Sequence, residues 1–470
     1  MMAAPGLAID VRALARLGPV HFVGIAGAGM SALAELVLRS GGRVTGCDTN
    51  PGAAGTALTA LGAEIRHGHD PSHVQDAVAV IATSAVPAGH PELAAARARG
   101  IPVLKRAQAL GGVVNRGTLL AVGGTHGKTT TTAMTTAILV EAGLDPTAFV
   151  GGTVEAWGSG LRVGSESLFV VEADEYDRSF LTLHPTVAVV TSVEPDHLDV
   201  YGTADAVEDA FAEFVSAVPA HGLVTACVDD PGAARTLRER RATTLGYGTG
   251  TAAELRAVDV EQGRATGFTV RDGDAELGRI RLGVSGLHNV RNALGALAAA
   301  RFAGAGFAAA ARALAGFSGV ARRLQELGTA AGITVIDDYA HHPTEIEASL
   351  AACRALYPGR PLVAAFQPHL YSRTRDFASG FGTALARADA VWITDVYPAR
   401  EAPIEGVDGS TVVAAARSAG ASVRYVTSVR DLAGAMADAV ETGSVCLMMG
   451  AGDIDVAARE LLERLRGRDV

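Results

Sequence analysis

The residues best equipped for chemistry lie at Leu119-Leu-Ala-Val-Gly-Gly-Thr-His-Gly-Lys-Thr-Thr130. An apolar run ends in glycines, and a lysine and threonines open a helical pattern. Glycines let backbone N–H groups close around phosphate oxygens, and a helix N-terminus adds a favourable partial charge. In that setting Lys128 reaches the β/γ-phosphates of a nucleotide and the Thr129 hydroxyl holds Mg²⁺. Gly124, Thr125, His126, Gly127 and Thr130 complete the cradle. The strict phosphate-loop pattern needs a glycine where this chain has Val122, so the match is to a shorter variant. The run Thr129–Thr132 is a poor helix former. A broken local rule at a helix start fits a site better than a core.

Two acidic clusters follow apolar runs. Glu172-Ala-Asp-Glu-Tyr-Asp177 comes after Leu168–Val171, and Glu194-Pro-Asp-His-Leu-Asp199 after Val187–Val193. In an open parallel sheet, ligands gather at the carboxyl ends of strands. Glu172 and His197 from such ends could complete Mg²⁺ spheres shared with phosphate oxygens. Histidine is an unusual Mg²⁺ ligand, and each cluster taken alone also reads as solvated loop acids.

An earlier glycine turn, Gly24-Ile-Ala-Gly-Ala-Gly-Met-Ser31, follows a strand and precedes the helical stretch Ser31–Ser40. Asp48 closes the next strand, Arg43–Gly46. Pyrophosphate at the helix start and an acid for a ribose would be the arrangement of a dinucleotide-binding half. The glycine spacing is not GxGxxG. An oxidoreductase, a nucleotide-sugar site and a purely structural turn all remain open on this motif.

Positioning these groups takes sheets. Strand candidates are Val20–Gly24, Val78–Ala82, Leu119–Gly123, Leu168–Val171, Val187–Val193, Leu223–Val228, Thr334–Ile336, Leu362–Phe366, Ala390–Thr394 and Val445–Met449. Most are short, continuous and apolar, as strands buried on both faces should be. Helical patterns lie between them, which predicts α/β layers with parallel sheets. Residues 255–285 alternate in short runs around Arg271-Asp-Gly-Asp274, which predicts an antiparallel insertion. A third glycine turn, Gly450-Ala-Gly-Asp-Ile454, comes late. At about 150 residues per domain, the 470 residues suggest roughly three domains. Boundaries near 115 and 320 give spans 1–115, 116–320 and 321–470.

Composition narrows the classes. A formal charge of −10 and a pI of about 5.7 argue against a nucleic-acid or anionic-membrane binder. The Ala/Gly-rich stretch 293–317 carries Arg301 and Arg312 and reads as packed helices rather than a membrane insertion. The cysteines Cys47, Cys227, Cys353 and Cys446 are far apart with no CxxC spacing, so a reduced, cytoplasmic chain is expected. Of 40 basic residues only Lys105 and Lys128 are lysine. A GC-rich coding bias explains most of that, but not which lysines remain.

As an ordered set, these motifs resemble the Mur ligase family over essentially the whole chain. The carriers are Gly24–Ser31, Gly124–Thr130, Glu172–Glu175, Glu194–His197, His288-Asn-Val-Arg-Asn292, Gly319-Val-Ala-Arg-Arg323, Asp337-Asp-Tyr-Ala-His-His-Pro-Thr-Glu345, Phe366-Gln-Pro-His369 and Asp395-Val-Tyr-Pro398. The last three resemble the alanine-adding branch. The resemblance implies three α/β domains: a Rossmann-like N-terminal domain for a UDP-sugar, a central P-loop ATPase domain with a mostly parallel sheet, and a Rossmann-like C-terminal domain. It implies ATP and Mg²⁺ as cofactors, UDP-N-acetylmuramate and L-alanine as substrates, and a monomer or dimer. ATP would phosphorylate the lactyl carboxylate, and the amine of alanine would attack the acyl phosphate.

By the same resemblance Thr129, Glu172 and His197 hold metal, and Asn289 and Asn292 meet adenine. Arg323 approaches the phosphates, and Asp338 the nucleotide or the incoming amino acid. Catalysis is thereby assigned to Lys128, Glu172, His197, Arg323 and Asp338. Gly27, Gly29, Met30, Ser31, Asp48, Ser84, His341, His369 and Arg373 are placed around the substrate. Helix capping by the asparagines and surface pairing by Arg323 and Arg373 are the plainer readings. Leu370 stands where many relatives carry arginine, so one substrate contact is either missing or supplied by Arg375; Arg400 stands where glycine is common. Some relatives bridge metal through a carbamylated lysine. This central domain offers only Lys128, already committed to phosphate, so His197 gains weight as the substitute.

The competing readings are a ligase that adds a recycled tripeptide to the same UDP-sugar, a nucleotide-sugar-binding sensor, and an NAD-dependent oxidoreductase. Intact Lys128, Thr129, Glu172 and His197 argue against the sensor. The oxidoreductase leaves the phosphate loop unexplained.

Overall fold

The computed structural model describes residues 9–468 except Ala88, Glu239 and Arg400, so the arginine that departs from the family pattern lies outside the described residues. Three sheets carry the fold, as the alternating pattern predicts. The first contains β1 (Val20–Val23), β2 (Val44–Asp48), β3 (Glu64–His67), β4 (Ala79–Ala82) and β5 (Val103–Lys105), in the order β3-β2-β1-β4-β5. All its pairings are parallel. The order reverses at β1, so the Gly24 turn sits at the switch point where such sheets bind ligands. Successive residues of β1 face opposite sides. Phe22 packs with the helix Ala28–Arg39 on one face, and Val23 with Val80 and Leu93 on the other.

The second sheet contains β6 (Thr118–Gly123), β7 (Pro146–Val154), β8 (Ser159–Arg162), β9 (Ser165–Glu172), β10 (Val187–Val190), β11 (Leu223–Cys227), β12 (Thr243–Gly248), β13 (Leu255–Glu261), β14 (Thr266–Asp272) and β15 (Ala275–Leu282). Its order is β15-β14-β13-β12-β11-β10-β6-β9-β7-β8. The central β6 is parallel to β9 on one side and β10 on the other, with Val122 opposite Glu172 and Gly123 opposite Val190. That register delivers the phosphate loop and both acidic clusters to one edge of the sheet. The last three strands adjoin in chain order through short turns, and connections this short join antiparallel strands only.

The third sheet contains β16 (Gln325–Ala330), β17 (Ile333–Asp338), β18 (Leu362–Phe366), β19 (Ala390–Ile393), β20 (Val423–Tyr425) and β21 (Val445–Met449), in the order β16-β17-β21-β18-β19-β20. Only β16 runs antiparallel to its neighbour. The chain divides into two compact units. One holds the first sheet and most of the second; the other holds the third sheet with residues 260–267 and 281–290.

All ten predicted strands exist, Leu362–Phe366 and Val445–Met449 with the expected ends and the others with shifted ones. The run expected to reach Val193 leaves the sheet at Val190, and β9 extends to include Glu172. Strands β3, β5, β7, β8, β12, β16 and β20 were not expected. Of these, β3, β5, β8 and β20 are short edge strands with little fully buried surface, so they lack the continuous apolar signal of central strands. The stretch 293–317 forms packed helices, Leu287–Phe302 and Phe307–Ala315. Among the described residues no helix is long and apolar enough to cross a membrane.

Candidate active site

The phosphate loop closes with two left-handed glycines, Gly124 at φ 138° and Gly127 at φ 80°. A side chain fits at neither. A Cβ would come within 2.0 Å of Thr191 Oγ1 at the first and 2.5 Å of Asn292 Oδ1 at the second. The helix Lys128–Glu141 starts immediately after Gly127. Its threonines are weak helix formers by propensity, yet Thr132, Thr135 and Thr136 donate their hydroxyls to carbonyls one turn back and stay buried. The site thus rests on a helix that tertiary packing and back-bonding sustain.

The cradle is narrower than the motif implies. The N–H groups of Thr125 and His126 are taken by Ser192, through its carbonyl at 2.9 Å and its hydroxyl at 3.0 Å. Glu194 N–H also donates to Thr125 Oγ1 at 2.9 Å. The segment after β10 therefore fixes the outer half of the loop. The N–H groups of Lys128, Thr129 and Thr130 open the helix, where no intrahelical carbonyl can reach them. These are the donors that face an anion.

Lys128 Nζ donates to the carbonyls of Gly124 (2.6 Å) and Thr125 (3.1 Å) and to Glu175 Oε1 (2.9 Å). Burial works against its ammonium, but the carboxylates of Glu175 and Asp174 outweigh it and raise its pKa above the usual lysine value. Burial pushes the Glu175 carboxyl up to about 7, against the pull of Lys128. Glu175 was visible only as part of a motif. Its pairing with Lys128 joins two strand ends far apart in sequence, and no local spacing reports it.

Thr129 Oγ1 donates to Glu172 Oε1 at 3.0 Å, and Gly151 N–H of β7 donates to Glu172 Oε2 at 2.6 Å. The predicted metal residues Thr129 and Glu172 therefore meet. His197, left-handed at φ 52°, lies with Glu175 instead, its Nε2 3.8 Å from Glu175 Oε1 and 3.7 Å from Asp196 Oδ2. Tyr201 donates its hydroxyl to the Glu175 carbonyl at 2.6 Å. Asn292 packs on Gly127, so it stands at the phosphate loop.

At the first glycine turn the residues divide. Gly27 caps the helix Ala28–Arg39, and the Arg106 guanidinium packs over Gly29. Met30 points into the core, and Ser31 donates its hydroxyl to the Ala28 carbonyl. The Asp48 carboxylate accepts from Ala26 N–H at 3.0 Å and Asn50 N–H at 2.9 Å, so it ties the turn to β2. Ser84 and Lys105 both donate to Asp177 Oδ2, at 2.7 and 2.6 Å. Arg106 reaches Asp174 at 3.8 Å. The acidic cluster Glu172–Asp177 thus faces the first sheet through Asp174 and Asp177 and the phosphate loop through Glu172 and Glu175. Lys105, whose retention the coding bias leaves unexplained, has a specific partner in Asp177.

The second unit gathers its own polar set. Asp338 is buried at the end of β17, and burial pushes its carboxyl up to about 6. Its oxygens accept from Leu324 N–H (3.1 Å), Ala340 N–H (2.8 Å) and the Ser349 hydroxyl (3.0 Å). That grip positions the segment carrying Arg323, whose guanidinium lies 5.2 Å from the Tyr339 ring and 3.7 Å from Glu345. The His341 and His369 rings lie 6.0 Å apart, and Arg373 Nη1 is 3.3 Å from His369 Nδ1. Tyr397 stacks on His369. Asn289 donates to the Ser285 carbonyl at 2.7 Å. Leu370 is buried at φ 69° just before the helix Tyr371–Leu385, and Arg375 pairs with the adjacent Asp376. Gly450-Ala-Gly-Asp-Ile454 joins β21 to a helix, as predicted, and Gln367 bonds both Asp453 and Ile454 N–H there.

Known proteins match this arrangement from end to end. A model of the Mur ligase family catalytic domain matches residues 19–118, a Mur ligase middle domain 122–300, and a Mur ligase glutamate ligase domain 322–452. A UDP-N-acetylmuramate–L-alanine ligase of Salinibacter ruber is 44% identical over 456 residues, covering 96% of each chain. One of Mycolicibacterium gilvum is 45% identical over 467 residues, covering 96% of this chain and 97% of the relative. Among solved structures, the UDP-N-acetylmuramate–alanine ligase of Thermotoga maritima superposes with a TM-score of 0.82 at 29% identity, covering 96% of this chain and all of the other. A murein peptide ligase of Psychrobacter arcticus gives 0.73 at 26% identity, covering 96% and 99%. The chain belongs to the Mur ligase family.

Proposed function

We propose that this enzyme uses ATP to join L-alanine to the lactyl carboxylate of UDP-N-acetylmuramate. A carboxylate oxygen attacks the γ-phosphorus and ADP leaves. The alanine nitrogen then attacks the acyl carbon, a tetrahedral intermediate forms, and phosphate leaves as the amide closes. The observation that carries this reading is the constellation of Lys128, Thr129, Glu172 and Glu175 on adjacent strand ends, in a chain so like alanine-adding relatives along its length.

The reaction brings together two anions, so the site must offset charge. Lys128 supplies a compact positive charge at the loop. Thr129 Oγ1 and Glu172 Oε1, 3.0 Å apart, are hard oxygen donors of the kind Mg²⁺ takes. These two residues would hold Mg²⁺, which when bound neutralises phosphate charge; His197, expected in the same set, stands beside Glu175 instead. Glu175 holds Lys128 poised and gives it up as a phosphate approaches. In the second unit Asp338 acts as a positioning residue for Arg323, while His369 and Arg373 offer donors to an anionic substrate group. Asn289 and Asn292 serve the nucleotide, and Ser84 with the Gly27–Ser31 turn serves the UDP-sugar. We assign these roles to spans 1–115, 116–320 and 321–470, and place the enzyme in the cytoplasm, where its four free cysteines stay reduced.

Phosphate release from ATP should require UDP-N-acetylmuramate and L-alanine together. Release with neither present would overturn the reading. Faster turnover with the tripeptide than with alanine would move the enzyme to the recycling branch.

A further inference from the structure

The first sheet carries a second cluster of metal-binding side chains that the ligase reaction does not use. His21 on β1 and Cys47 on β2 project from the face that packs against Leu93 and Ala96. Glu92, from the first turn of the helix Pro91–Ala98, and His73, from the short turn Pro71–Val74, close over them. One ligand atom from each of these four lies within 4.8 Å of all the others. Glu92 is the hub, with no exposed surface. Its Oε2 is 3.0 Å from Cys47 Sγ and 3.8 Å from His21 Nε2, and its Oε1 is 2.7 Å from His73 Nδ1.

A carboxylate buried among apolar side chains needs positive charge nearby. Its ion-pair partners among the described residues are histidines alone: His21, His69 and His73. The orientation of His21 is the sharper clue. Its Nδ1 bonds Thr45 Oγ1 at 2.9 Å, which fixes the ring and turns Nε2 toward Glu92. At 1% exposure that nitrogen has no hydrogen-bond partner. A ring nitrogen held from behind by a polar oxygen, with its front atom aimed at thiol and carboxylate, is how proteins present histidine to a metal. Metal–ligand bonds of about 2.0–2.3 Å put tetrahedral ligands roughly 3.5 Å apart, and the contacts around Glu92 bracket that edge. Two imidazoles, one thiol and one carboxylate form a borderline-soft set. It suits Zn²⁺ and not the hard cations Mg²⁺ or Ca²⁺. His69 Nδ1, 3.2 Å from Cys47 Sγ, and His90 stand on the more open side, where an ion would approach.

We propose that His21, Cys47, His73 and Glu92 form a structural site for Zn²⁺ that pins the covering turn and helix to the first sheet. The full-length protein, stripped with a chelator and titrated with Co²⁺, should bind one equivalent with a thiolate-to-cobalt charge-transfer band. The Thr129–Glu172 site contains no sulfur, so Co²⁺ bound there gives no such band. Cys47→Ser should lose the band while phosphate release persists, and Zn²⁺ should raise the melting temperature of the stripped wild type but not of His73→Gln. A folded wild type that shows no sulfur band, or a band unchanged in Cys47→Ser, would reduce the cluster to a hydrogen-bonded network and overturn the proposal. If Cys47→Ser does not fold, the Zn²⁺-dependent melting of wild type against His73→Gln decides, and equal shifts overturn it.

Discussion

Glu175 beside the phosphate loop and Glu92 under the first sheet are almost equally hidden, at 3% and 0% exposed. Their carboxyls are nevertheless driven in opposite directions. Burial pushes Glu175 up to about 7, and the single ammonium of Lys128 does not outweigh it while Asp174 adds repulsion. Burial acts on Glu92 too, but His21, the Cys47 thiol, Asp70 N–H and His73 outweigh it and hold the carboxyl at about 2. The lesson is that low surface exposure alone does not set charge; the donors facing the carboxylate act together with its desolvation. Glu92 is met by groups from two strands and the turn Pro71–Val74 with its cap Asp70. Glu175 leans chiefly on Lys128, with His197 3.8 Å away, and the proposed reaction requires that lysine to engage a phosphate.

The comparison can be broken in order of expected effect. Lys128→Ala should lower kcat about a thousandfold or more, as the loss of a preorganised charge does, measured as phosphate release. A near-normal kcat would remove Lys128 from the chemistry. Glu92→Gln should destabilise the protein by about 3 kcal/mol in urea unfolding, because it strands buried donors. Glu175→Gln should cost less, about 1 kcal/mol, since Lys128 keeps the Gly124 and Thr125 carbonyls and a glutamine carbonyl oxygen can accept in place of the carboxylate. Equal losses would erase the contrast.

A subtler consequence concerns protons. A phosphate drawn to Lys128 removes the counter-charge of Glu175 and raises its pKa further. ATP binding near pH 7.5 should therefore take up a fraction of a proton, read by calorimetry in buffers of different ionisation enthalpy. Glu175→Gln should abolish that uptake. Asp337 extends the pattern to the second unit. It is wholly buried beside Arg322, and burial pushes its carboxyl up from 3.8 to about 6. A folded-state pKa above the unfolded one means stability that is present below about 3.8 and lost as pH rises through about 6. The melting temperature of the wild type should fall over that window more steeply than that of Asp337→Asn. The smallest effect belongs to Lys105→Ala. Its ion pair with Asp177 is 60% exposed on the lysine side, and its loss should change stability by less than about 1 kcal/mol.

How much of this was legible follows from where the signals reside. The phosphate loop reads from sequence because strand, glycines, lysine and threonine are contiguous. Glu172 reads because it ends an apolar run that becomes a central strand. The Ser192 contacts that narrow the cradle do not read, because they depend on β10 lying beside β6. Met30 and Asp48 belong to a recognisable turn, but only packing shows that one fills the core and the other ties the loop. The histidine–cysteine cluster escapes any spacing rule, since its members come from two strands, a turn and a helix. Contacts between neighbouring strands are invisible until the strand order is known, even where the residues at the strand ends are legible.

The scarcity of lysine gives the two that remain a further use. The Lys105 side chain is 60% exposed and that of Lys128 14%, enclosed by loop carbonyls and Glu175. An amine-selective acylating reagent therefore meets two internal targets of very different accessibility in one chain. Lys105 serves as the built-in reference, and the labelling rate of Lys128 against it becomes a ratiometric gauge of phosphate-loop occupancy.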